Sequence, residues 1–222
     1  MSGTLYIVAT PIGNLGDITV RALEILKQVD LILCEDTRVT KKLLFHYEIT
    51  KSLSSFHEHS DQKKIDGLIE RLQAGENMAL VTDAGTPGLS DPGNVLVAAA
   101  IEAKLGVVPI PGVSALTALV SVAGIDMREF VFLGFPPHKK GRQTFFTQVG
   151  ESKIPAMYYE SPHRVLKNLA LLRELAPEKR VIIGRELTKM FEEIVRGNIE
   201  EIEEYFASQP SKVKGEFVII VY

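Results

Sequence analysis

Cysteine is nearly absent from this sequence, and so are the apolar stretches that mark export or membrane insertion. The single cysteine, Cys34, cannot form an intrachain disulfide, which argues against a disulfide-stabilised secreted protein. Its place in the apolar run DLILCED predicts a small buried side chain. The N-terminus lacks a basic region followed by a long apolar one, and the longest weakly polar run, 115–125, is well short of the roughly 20 residues of a membrane span. We therefore expect a cytoplasmic protein with no membrane anchor.

An excess of positive charge is also missing. Lys and Arg number 25 against 28 Asp and Glu, a formal net charge of −3. The chain as a whole therefore offers no electrostatic attraction for nucleic acid, although a local basic patch can still do so. Hydrophobic residues make up 45% of the 222 residues, which is enough for one large domain or two small ones. No internal repeat or low-complexity linker interrupts the chain.

The first half alternates short apolar runs with segments of helical periodicity. The run at 5–9 is predicted as a strand, and Asp17 is predicted to cap the helix that follows it. Further strands are predicted at 30–36, 52–56, 77–84 and 107–111, with a helix between each strand and the next. The helix between the second and third strands is predicted at 37–48. Strands that alternate with helices indicate a mostly parallel sheet covered on both faces. The run at 77–84 is apolar enough for a central strand.

The second half indicates a mixed α/β arrangement. Its strands are predicted at 129–135, 155–161, 179–187 and 215–222, and its helices at 163–176 and 199–207. The segment RGNI between them is compatible with a hairpin strand. We place the domain boundary near Pro111–Gly112, which gives an N-terminal α/β domain over 1–111 and a C-terminal mixed α/β domain over 112–222.

Three loops that combine proline with glycine follow strands of the first half. They are ATPIGNLGD at 9–17, DAGTPGLSDPG at 83–93 and PIPGVSAL at 109–116. Ligands of parallel α/β sheets bind beyond the carboxyl ends of the strands. Glycine lets the backbone approach a ligand closely and proline keeps that approach rigid. The loops favour a site for a polar small molecule, and the alternative is that packing alone requires tight βα turns.

The fingerprints of nucleotide-binding proteins are missing from these loops. A dinucleotide site needs G-x-G-x-x-G after the first strand, but the first loop contains only Gly13 and Gly16, and no G-x-x-x-x-G-K-[ST] occurs anywhere. A metal site is not predicted either. His57 and His59 lie on one side of an extended segment, yet no further ligands at a matching spacing stand out.

Several polar clusters allow both a structural and a functional interpretation. Glu35, Asp36 and Arg38 follow a strand, where they form part of a site or a capped helix with an ion pair. The segments YYESPHR and GRELTK each place a carboxylate and an arginine at a strand end of the second half. The loop at 135–143 carries His138, Lys139, Lys140 and Arg142. This basic loop is either a solvated turn or a contact for the phosphates of a nucleic acid.

The motifs together resemble one family. LYIVATPIGNLGDIT, EDTR, VTDAGTPGLSDPG, PIPGVSAL, FLGFPP, YESPHR, GRELTK and KGEFVIIV occur in the order and spacing of the ribosomal RNA small-subunit methyltransferase I family. That family is similar to the tetrapyrrole methylases, the class III S-adenosylmethionine (SAM) methyltransferases. The resemblance covers nearly the whole chain. PGVSA alone indicates only the superfamily, whereas ATPIGNLGD, DAGTPGLSDPG and YESPHR together are specific to the subfamily.

The resemblance implies a fold, an activity and partners. The fold is that of two α/β domains, with a mostly parallel sheet in the first, a mixed sheet in the second and the SAM cleft between them. The activity is 2′-O-methylation of the ribose of a cytidine in the decoding region of 16S rRNA. The expected partners are the small ribosomal subunit and a second copy of the chain in a homodimer. Some relatives carry an additional C-terminal helical segment that does not occur in this sequence.

The resemblance also implies contact residues. Those for SAM in the three proline–glycine loops are Pro11, Ile12, Asp83, Thr86, Pro87, Leu89, Ser114 and Ala115. Those in the second domain are Tyr159, Glu160, Arg185, Glu186, Gly215 and Glu216. Candidate contacts for RNA are Arg38, Lys139, Lys140, Arg142 and Arg164, with Lys41, Lys42 and Lys214 as further members of a basic face.

Methyl transfer to a ribose hydroxyl requires a base and no metal. Asp36 and Glu35 are the preferred candidates for that base, although either can instead orient Arg38. Asp83, Glu160, His57 and His59 are further candidates. The alternatives to this function are a methyltransferase for a tetrapyrrole-type small molecule, a non-catalytic RNA-binding or ribosome-binding protein, and an oxidoreductase, which the missing fingerprint disfavours.

Overall fold

The chain forms two compact units, Met1–Ser114 and Ala115–Tyr222. The structure is a computed structural model that describes residues 2–57, 60–90 and 93–222. The division follows Ser114, so most of the third proline–glycine loop lies in the first unit. Among the described residues, no helix combines the length and the apolar character that crossing a lipid bilayer requires.

The first unit is built from alternating strands and helices. In chain order they are β1 (Thr4–Val8), α1 (Val20–Gln28), β2 (Leu31–Cys34), α2 (Thr37–His46), β3 (Leu53–Ser55), α3 (Gln62–Gln73), β4 (Met78–Val81), α4 (Asn94–Glu102) and β5 (Gly106–Ile110). The strands form one parallel sheet in the order β3-β2-β4-β1-β5. The predicted parallel sheet is thus confirmed, and the 77–84 run supplies its central strand.

The strands are apolar on consecutive positions because both faces of the sheet are covered. Leu33 of β2 packs in one core cluster with residues of α3 and α4, whereas its neighbour Ile32 packs in a second cluster with residues of α1 and α2. Successive side chains of a strand point to opposite faces, so one run of apolar residues supplies both clusters. Cys34 is fully buried in the second cluster, as predicted for a small apolar side chain.

The first helix does not begin where the sequence predicts. Asp17 was expected to cap it, but Asp17 closes a short 3₁₀ turn, Leu15–Asp17, which Asn14 caps. Thr19 caps α1 instead, because its hydroxyl accepts the hydrogen bond of the Ala22 N–H at 3.1 Å. Both residue types are good N-caps, and the intervening turn decides between them.

The second unit has a mixed sheet. Its elements are α5 (Ala115–Ser121), β6 (Val131–Phe132), α6 (Arg142–Glu151), β7 (Ala156–Glu160), α7 (Val165–Leu175), β8 (Arg180–Arg185), β9 (Glu193–Asn198), α8 (Ile199–Ser208) and β10 (Phe217–Val221). The strand order is β6-β7-β10-β8-β9, with β6 and β7 parallel and the other pairs antiparallel. This confirms the mixed arrangement, and the RGNI segment lies in and just after β9.

Helix α6 was not predicted, and the strand expected at 129–135 is confined to Val131–Phe132. The sequence of α6, RQTFFTQVGE, contains β-branched, aromatic and glycine residues of low helix propensity. Packing overrides that propensity. Phe146 and Val149 are fully buried, and a Cβ at Gly150 would lie 2.8 Å from the Cβ of Ala176, so the helix needs glycine there.

Candidate active site

The first and second proline–glycine loops are joined by a pair of backbone hydrogen bonds. The Thr10 N–H donates to the Gly85 carbonyl at 2.9 Å, and the Gly85 N–H donates to the Thr10 carbonyl at 3.0 Å. The Thr10 hydroxyl is buried and donates to the Thr82 carbonyl at 3.0 Å. The loops after β1 and β4 therefore form one connected structure at the carboxyl edge of the sheet.

The third loop joins the other two. The Thr86 hydroxyl donates to the Val113 carbonyl at 3.3 Å. A Cβ at Gly85 would lie 3.4 Å from Cγ2 of Ile12 and 3.9 Å from the Val113 carbonyl oxygen. All three loops thus meet around Gly85, whose φ of +85° is one that residues with a side chain rarely adopt. The joining residues Thr10 and Thr82 are not among the site residues predicted from the sequence. Thr10 follows the predicted strand at 5–9, and Thr82 directly follows β4.

The predicted cofactor contacts of the first unit occupy these loops. Pro11, Ile12 and Ser114 are buried, and Thr86 is exposed. The remaining contacts of the second loop, Asp83, Pro87 and Leu89, are half-buried. Asp91 and Pro92 of the same loop lie outside the described residues. Ala115 is the first residue of α5 in the second unit.

The acidic cluster after β2 is tied to the second loop. The Asp36 N–H donates to Oδ1 of Asp83 at 3.2 Å. The Asp36 carboxylate caps α2 by accepting the Arg38 N–H at 2.8 Å, and it also holds the guanidinium of Arg38 through Nε at 3.0 Å and Nη2 at 2.6 Å. These hydrogen bonds from Arg38 lower the pKa of Asp36 to about 2. The carboxylate is thus already committed to a cap and an ion pair.

Glu35 lines a small pocket at the ends of β2 and β4. Its other lining residues are Phe56, Leu80, Val81, Thr82, Pro87 and Gly93. Burial raises the pKa of the neighbouring Cys34 thiol. A buried thiol with a raised pKa is a poor nucleophile.

In the second unit, Glu160 and Arg164 form a buried ion pair. Arg164 Nε lies 3.3 Å from Glu160 Oε1, and side-chain exposure is 15% for Arg164 and 0% for Glu160. Glu160 also accepts hydrogen bonds from the Ser161 N–H at 2.7 Å and from the side-chain amide of Asn168. Arg164 Nη1 donates to the Pro136 carbonyl at 2.9 Å. The pair therefore fastens the start of the basic loop to the end of β7.

Arg185 and Glu186 organise the end of β8. Arg185 is buried and donates to Glu193 Oε2 at 3.3 Å and to the Phe191 carbonyl at 3.0 Å. Glu186 accepts from Lys189 Nζ at 2.8 Å and from the Glu216 N–H at 2.9 Å. Burial alone would raise the pKa of Glu186, but these two hydrogen bonds outweigh it and hold the pKa below its usual range.

Gly215 is required next to Glu186. A Cβ at Gly215 would lie 2.3 Å from Oε1 of Glu186, and its φ is +86°. Glu216 also binds Lys189 Nζ at 3.0 Å, so the two motifs GRELTK and KGEFV form one hydrogen-bonded structure. Tyr159, the last of the predicted contacts in this unit, packs edge-on against Phe132 with ring centroids 5.0 Å apart.

The basic loop presents its charges to solvent. His138, Lys139 and Lys140 are exposed, and Arg142 is half-buried as the first residue of α6. Phe135, which sequence analysis did not single out, is 54% exposed at the start of this loop. Its only sequence signal is an aromatic residue directly before the two prolines of FPP.

Within residues 2–57, 60–90 and 93–222, no group of three or more His, Cys, Asp or Glu side chains is arranged to hold a metal ion. His57 is exposed, and its backbone N–H donates to the Ser60 hydroxyl at 3.1 Å. His59 lies outside the described residues.

Comparison with known sequences identifies relatives over the whole chain. A family model described as Tetrapyrrole (Corrin/Porphyrin) Methylases matches residues 4–203. A protein of Streptococcus pyogenes serotype M1 is 47% identical over 99% of this chain and 76% of its own length, and one of Synechocystis sp. is 46% identical over 99% and 78%. Both bear the name ribosomal RNA small subunit methyltransferase I.

Solved structures share the fold at low sequence identity. A conserved hypothetical protein from Aeropyrum pernix K1 has a TM-score of 0.75 and 16% identity over 100% of this chain and 84% of its own. A cobalamin biosynthetic enzyme, cobalt precorrin-4 methyltransferase, has a TM-score of 0.70 and 17% identity over 98% and 94%. At such identities the likeness extends to the fold alone.

Proposed function

The chain belongs to the tetrapyrrole methylase family and, within it, to the ribosomal RNA small subunit methyltransferase I family, and we propose from this premise that it methylates RNA of the small ribosomal subunit. It is a SAM-dependent methyltransferase. The proposed acceptor is the ribose 2′-oxygen of a cytidine in the decoding region of 16S rRNA. We also propose that it acts in the cytoplasm as a homodimer.

The joining of three loops at one sheet edge is the observation that supports a cofactor site there. Hydrogen bonds connect Thr10 with Gly85 and Thr86 with Val113. At Gly112 a Cβ would lie 2.9 Å from the Cβ of Ala9, so the backbones approach each other more closely than side chains would allow. We call the joined backbone of the three proline–glycine loops, at 9–17, 83–93 and 109–116, the rim. A rigid rim with a carboxylate and a hydroxyl beside it suits a ligand that carries amine, hydroxyl and ring nitrogen groups.

The residues proposed to hold SAM are those of the rim. Asp83 and Thr86 offer a carboxylate and a hydroxyl, while Pro11, Ile12 and Pro87 offer apolar surface. Bound SAM supplies an electrophilic methyl carbon on a sulfonium. The protein's part is to align the acceptor oxygen with that carbon, and alignment alone supplies about 7–11 kcal/mol of barrier reduction.

Glu35 is the better candidate for the base of the two carboxylates after β2. Asp36 caps α2 and pairs with Arg38, and its pKa of about 2 makes it a weak proton acceptor at neutral pH. Glu35 is exposed and lines the pocket beside Pro87 of the second loop. We propose that Glu35 accepts the proton of the ribose hydroxyl and that Asp36 positions Arg38 toward a phosphate of the substrate.

The basic loop is the proposed RNA contact of the second unit. Lys139 and Lys140 are exposed, and Arg142 begins the helix behind them. We propose that Arg164 acts through this loop, because its guanidinium binds Glu160 and the Pro136 carbonyl. The proposed SAM contacts of this unit remain Tyr159, Glu160, Arg185, Glu186, Gly215 and Glu216, with Ala115 at its start.

Incubation with methyl-labelled SAM tests the function. The protein is mixed with isolated small ribosomal subunits, with protein-free 16S rRNA or with a tetrapyrrole, and the labelled position is mapped. Label on the 2′-oxygen of a cytidine in the decoding region is the expected result. Label on the tetrapyrrole alone would contradict the proposal in favour of a small-molecule substrate, and SAM binding without any transfer would contradict it in favour of a non-catalytic role.

A further inference from the structure

We propose that the exposed face of helix α2 is a second RNA contact surface, on which Arg38, Lys41 and Lys42 bind backbone phosphates and Phe45 stacks on an unpaired base. This inference rests on the proposed function and adds to it a named contact and a kind of substrate, a single-stranded or unstacked segment of RNA. Phe45 has no part in the site described so far.

The four residues form one stripe along the helix. They occupy positions i, i+3, i+4 and i+7, which lie on the same side of an α-helix. The opposite side carries Thr40, Leu43 and Leu44, all of which are buried. The helix is therefore anchored by its apolar face, and the stripe is its outward face.

The stripe concentrates positive charge on a chain whose net charge is −3. Arg38 pairs with Asp36, yet its side chain is 86% exposed and keeps donors available on its outer edge. Lys41 and Lys42 are exposed and form no ion pair with any residue in the described ranges. A row of cations along one helix face matches the spaced phosphates of a nucleic-acid backbone.

The exposure of Phe45 is the second observation that supports an RNA contact on this helix. It is 85% exposed, although the adjacent Leu44 is buried in the core. An aromatic ring among cations at the surface offers a flat face to a base, while the neighbouring charges hold the backbone, as in proteins that bind single-stranded nucleic acid.

The helix begins beside the proposed catalytic groups. Asp36 is its N-cap, Glu35 precedes that cap, and the Asp36 N–H binds the Asp83 carboxylate of the second loop. All of these residues belong to the first unit. A strand of RNA that follows the stripe toward the start of the helix is therefore led to the edge of the sheet where Glu35 lies.

A second copy of the chain fits this face poorly. A symmetric dimer formed through the stripe would place the same patch against itself, since two-fold interfaces are self-complementary. Arg38, Lys41 and Lys42 of one copy would then oppose those of the other, and like charges repel. RNA carries the complementary charge.

The test uses the whole 222-residue chain and isolated small ribosomal subunits. The variants are Phe45→Ala, Phe45→Trp and the double variant Lys41→Gln/Lys42→Gln. For each we measure equilibrium binding to the subunits and the kcat and KM of methyl transfer. Calorimetry gives the SAM affinity and light scattering gives the mass in solution. The matched controls are Lys63→Gln/Lys64→Gln, two adjacent lysines on α3, and Ile101→Ala, an exposed apolar residue on α4.

The expected result is a loss in substrate binding only. Phe45→Ala should raise the KM and the dissociation constant for subunits roughly 10-fold without changing kcat or SAM affinity, and Phe45→Trp should restore both because it retains the stacking face. The double lysine variant should weaken subunit binding and reduce its dependence on salt. Both controls should remain within about 2-fold of the wild type.

Two results would overturn the inference. One is unchanged subunit binding by Phe45→Ala, and the other is a Phe45→Ala protein that loses its dimer while retaining its affinity for subunits, which would assign the face to a second copy. Failure of the proposed function is a separate outcome. A wild-type protein that binds subunits but transfers no methyl group refutes the function, while the binding measurements still decide the inference.

Discussion

Thr10 and Gly85, which follow different strands, exchange two backbone hydrogen bonds at 2.9 and 3.0 Å. They form an isolated antiparallel β-bridge outside the sheet. The strands themselves, β1 and β4, are parallel neighbours. This bridge holds the two loops together and places Gly85 next to Ile12 and Val113. A fixed rim at the carboxyl edge follows from this one pairing.

Gly85→Ala should distort that rim. At a φ of +85° a Cβ is strained by about 1–2 kcal/mol, and it would contact Cγ2 of Ile12 at 3.4 Å. We expect a loss of about 1–2 kcal/mol in the free energy of unfolding and at least a 10-fold loss in SAM affinity, measured by urea denaturation and calorimetry.

Gly67→Ala is the matched control. Gly67 lies inside α3, and a Cβ there would meet no heavy atom within 4 Å. The same substitution should therefore stabilise the chain by about 0.5–1 kcal/mol and leave SAM affinity unchanged. If both variants lost SAM affinity equally, or if Gly85→Ala retained it, the role of the rim would be refuted.

Thr86→Arg should abolish SAM binding. Thr86 is exposed on the second loop and its hydroxyl binds the Val113 carbonyl, so a long cationic side chain at this position would fill the proposed site and oppose the positive sulfonium. Thr86→Ser keeps the hydroxyl and should bind SAM within a few-fold of the wild type. Calorimetry on both variants decides, and an unchanged affinity of Thr86→Arg would place the cofactor elsewhere.

The sequence predicts local features of this molecule better than contacts between distant segments. The apolar run at 77–84 indicates a central strand because only a strand covered on both faces tolerates consecutive apolar residues, and β4 occupies that position. The pattern of α2 likewise gives nearly its observed bounds, Thr37–His46. Helix α6 escapes prediction because packing rather than propensity stabilises it.

The candidate site shows the same limit. Glycine and proline mark the three loops, but the pairing of Thr10 with Gly85 joins distant segments and leaves no local pattern. Glu160 and Arg164 are visible as polar residues after a strand. Whether they face a ligand or each other depends on Asn168 and on the Pro136 carbonyl, which only the folded chain brings to them.

Reversing the charges of the basic loop should weaken RNA binding alone. The triple variant Lys139→Glu, Lys140→Glu and Arg142→Glu removes three cations that the loop and the start of α6 present. Affinity for small subunits should fall by at least about 10-fold, with a shallower salt dependence, while SAM affinity stays intact. Filter binding across a salt series measures the first and calorimetry the second.

A single-charge comparison controls for the change in net charge. The comparison is between Lys140→Glu and Lys153→Glu. Lys140 precedes α6 and Lys153 follows it, at the other end of a ten-residue helix about 15 Å long. Only the first should weaken binding. Equal effects of the two substitutions would mean that net charge rather than the basic loop determines affinity, and unchanged RNA binding by the triple variant would refute the loop contact altogether.

Substitutions should distinguish the roles of the two carboxylates after β2, Glu35 and Asp36. Glu35→Gln removes the proposed proton acceptor and should lower kcat by about 10²–10⁴-fold with little change in stability. Asp36→Asn should keep the α2 cap, since Asn caps helices as well as Asp, and should raise KM for RNA more than it lowers kcat. Single-turnover rates with labelled SAM distinguish them. A large kcat loss confined to Asp36→Asn would exchange the two roles.

Acid should weaken the second unit through Glu193. This carboxylate accepts hydrogen bonds from Lys212 Nζ at 2.5 Å and from the Tyr205 hydroxyl, and Arg185 lies 3.3 Å away. Burial alone would raise its pKa, but the hydrogen bonds of Lys212 and Tyr205 outweigh burial and lower the pKa below its usual value of 4.5. The hydrogen bond to Glu193 raises the pKa of Lys212, so the lysine stays charged throughout the acid range.

The sign of the effect follows from the lowered pKa. A carboxyl whose pKa is lower in the folded than in the unfolded chain stabilises the fold fully above its unfolded value and ceases to do so as the pH falls through the folded one. Glu193→Gln should therefore cost about 2 kcal/mol of unfolding free energy at pH 7, and the deficit relative to wild type should shrink by about pH 3. Urea denaturation at both pH values measures it, with the exposed Glu178→Gln as control. A deficit that is equal at the two pH values would mean that packing, and not the charge of Glu193, stabilises this part of the sheet.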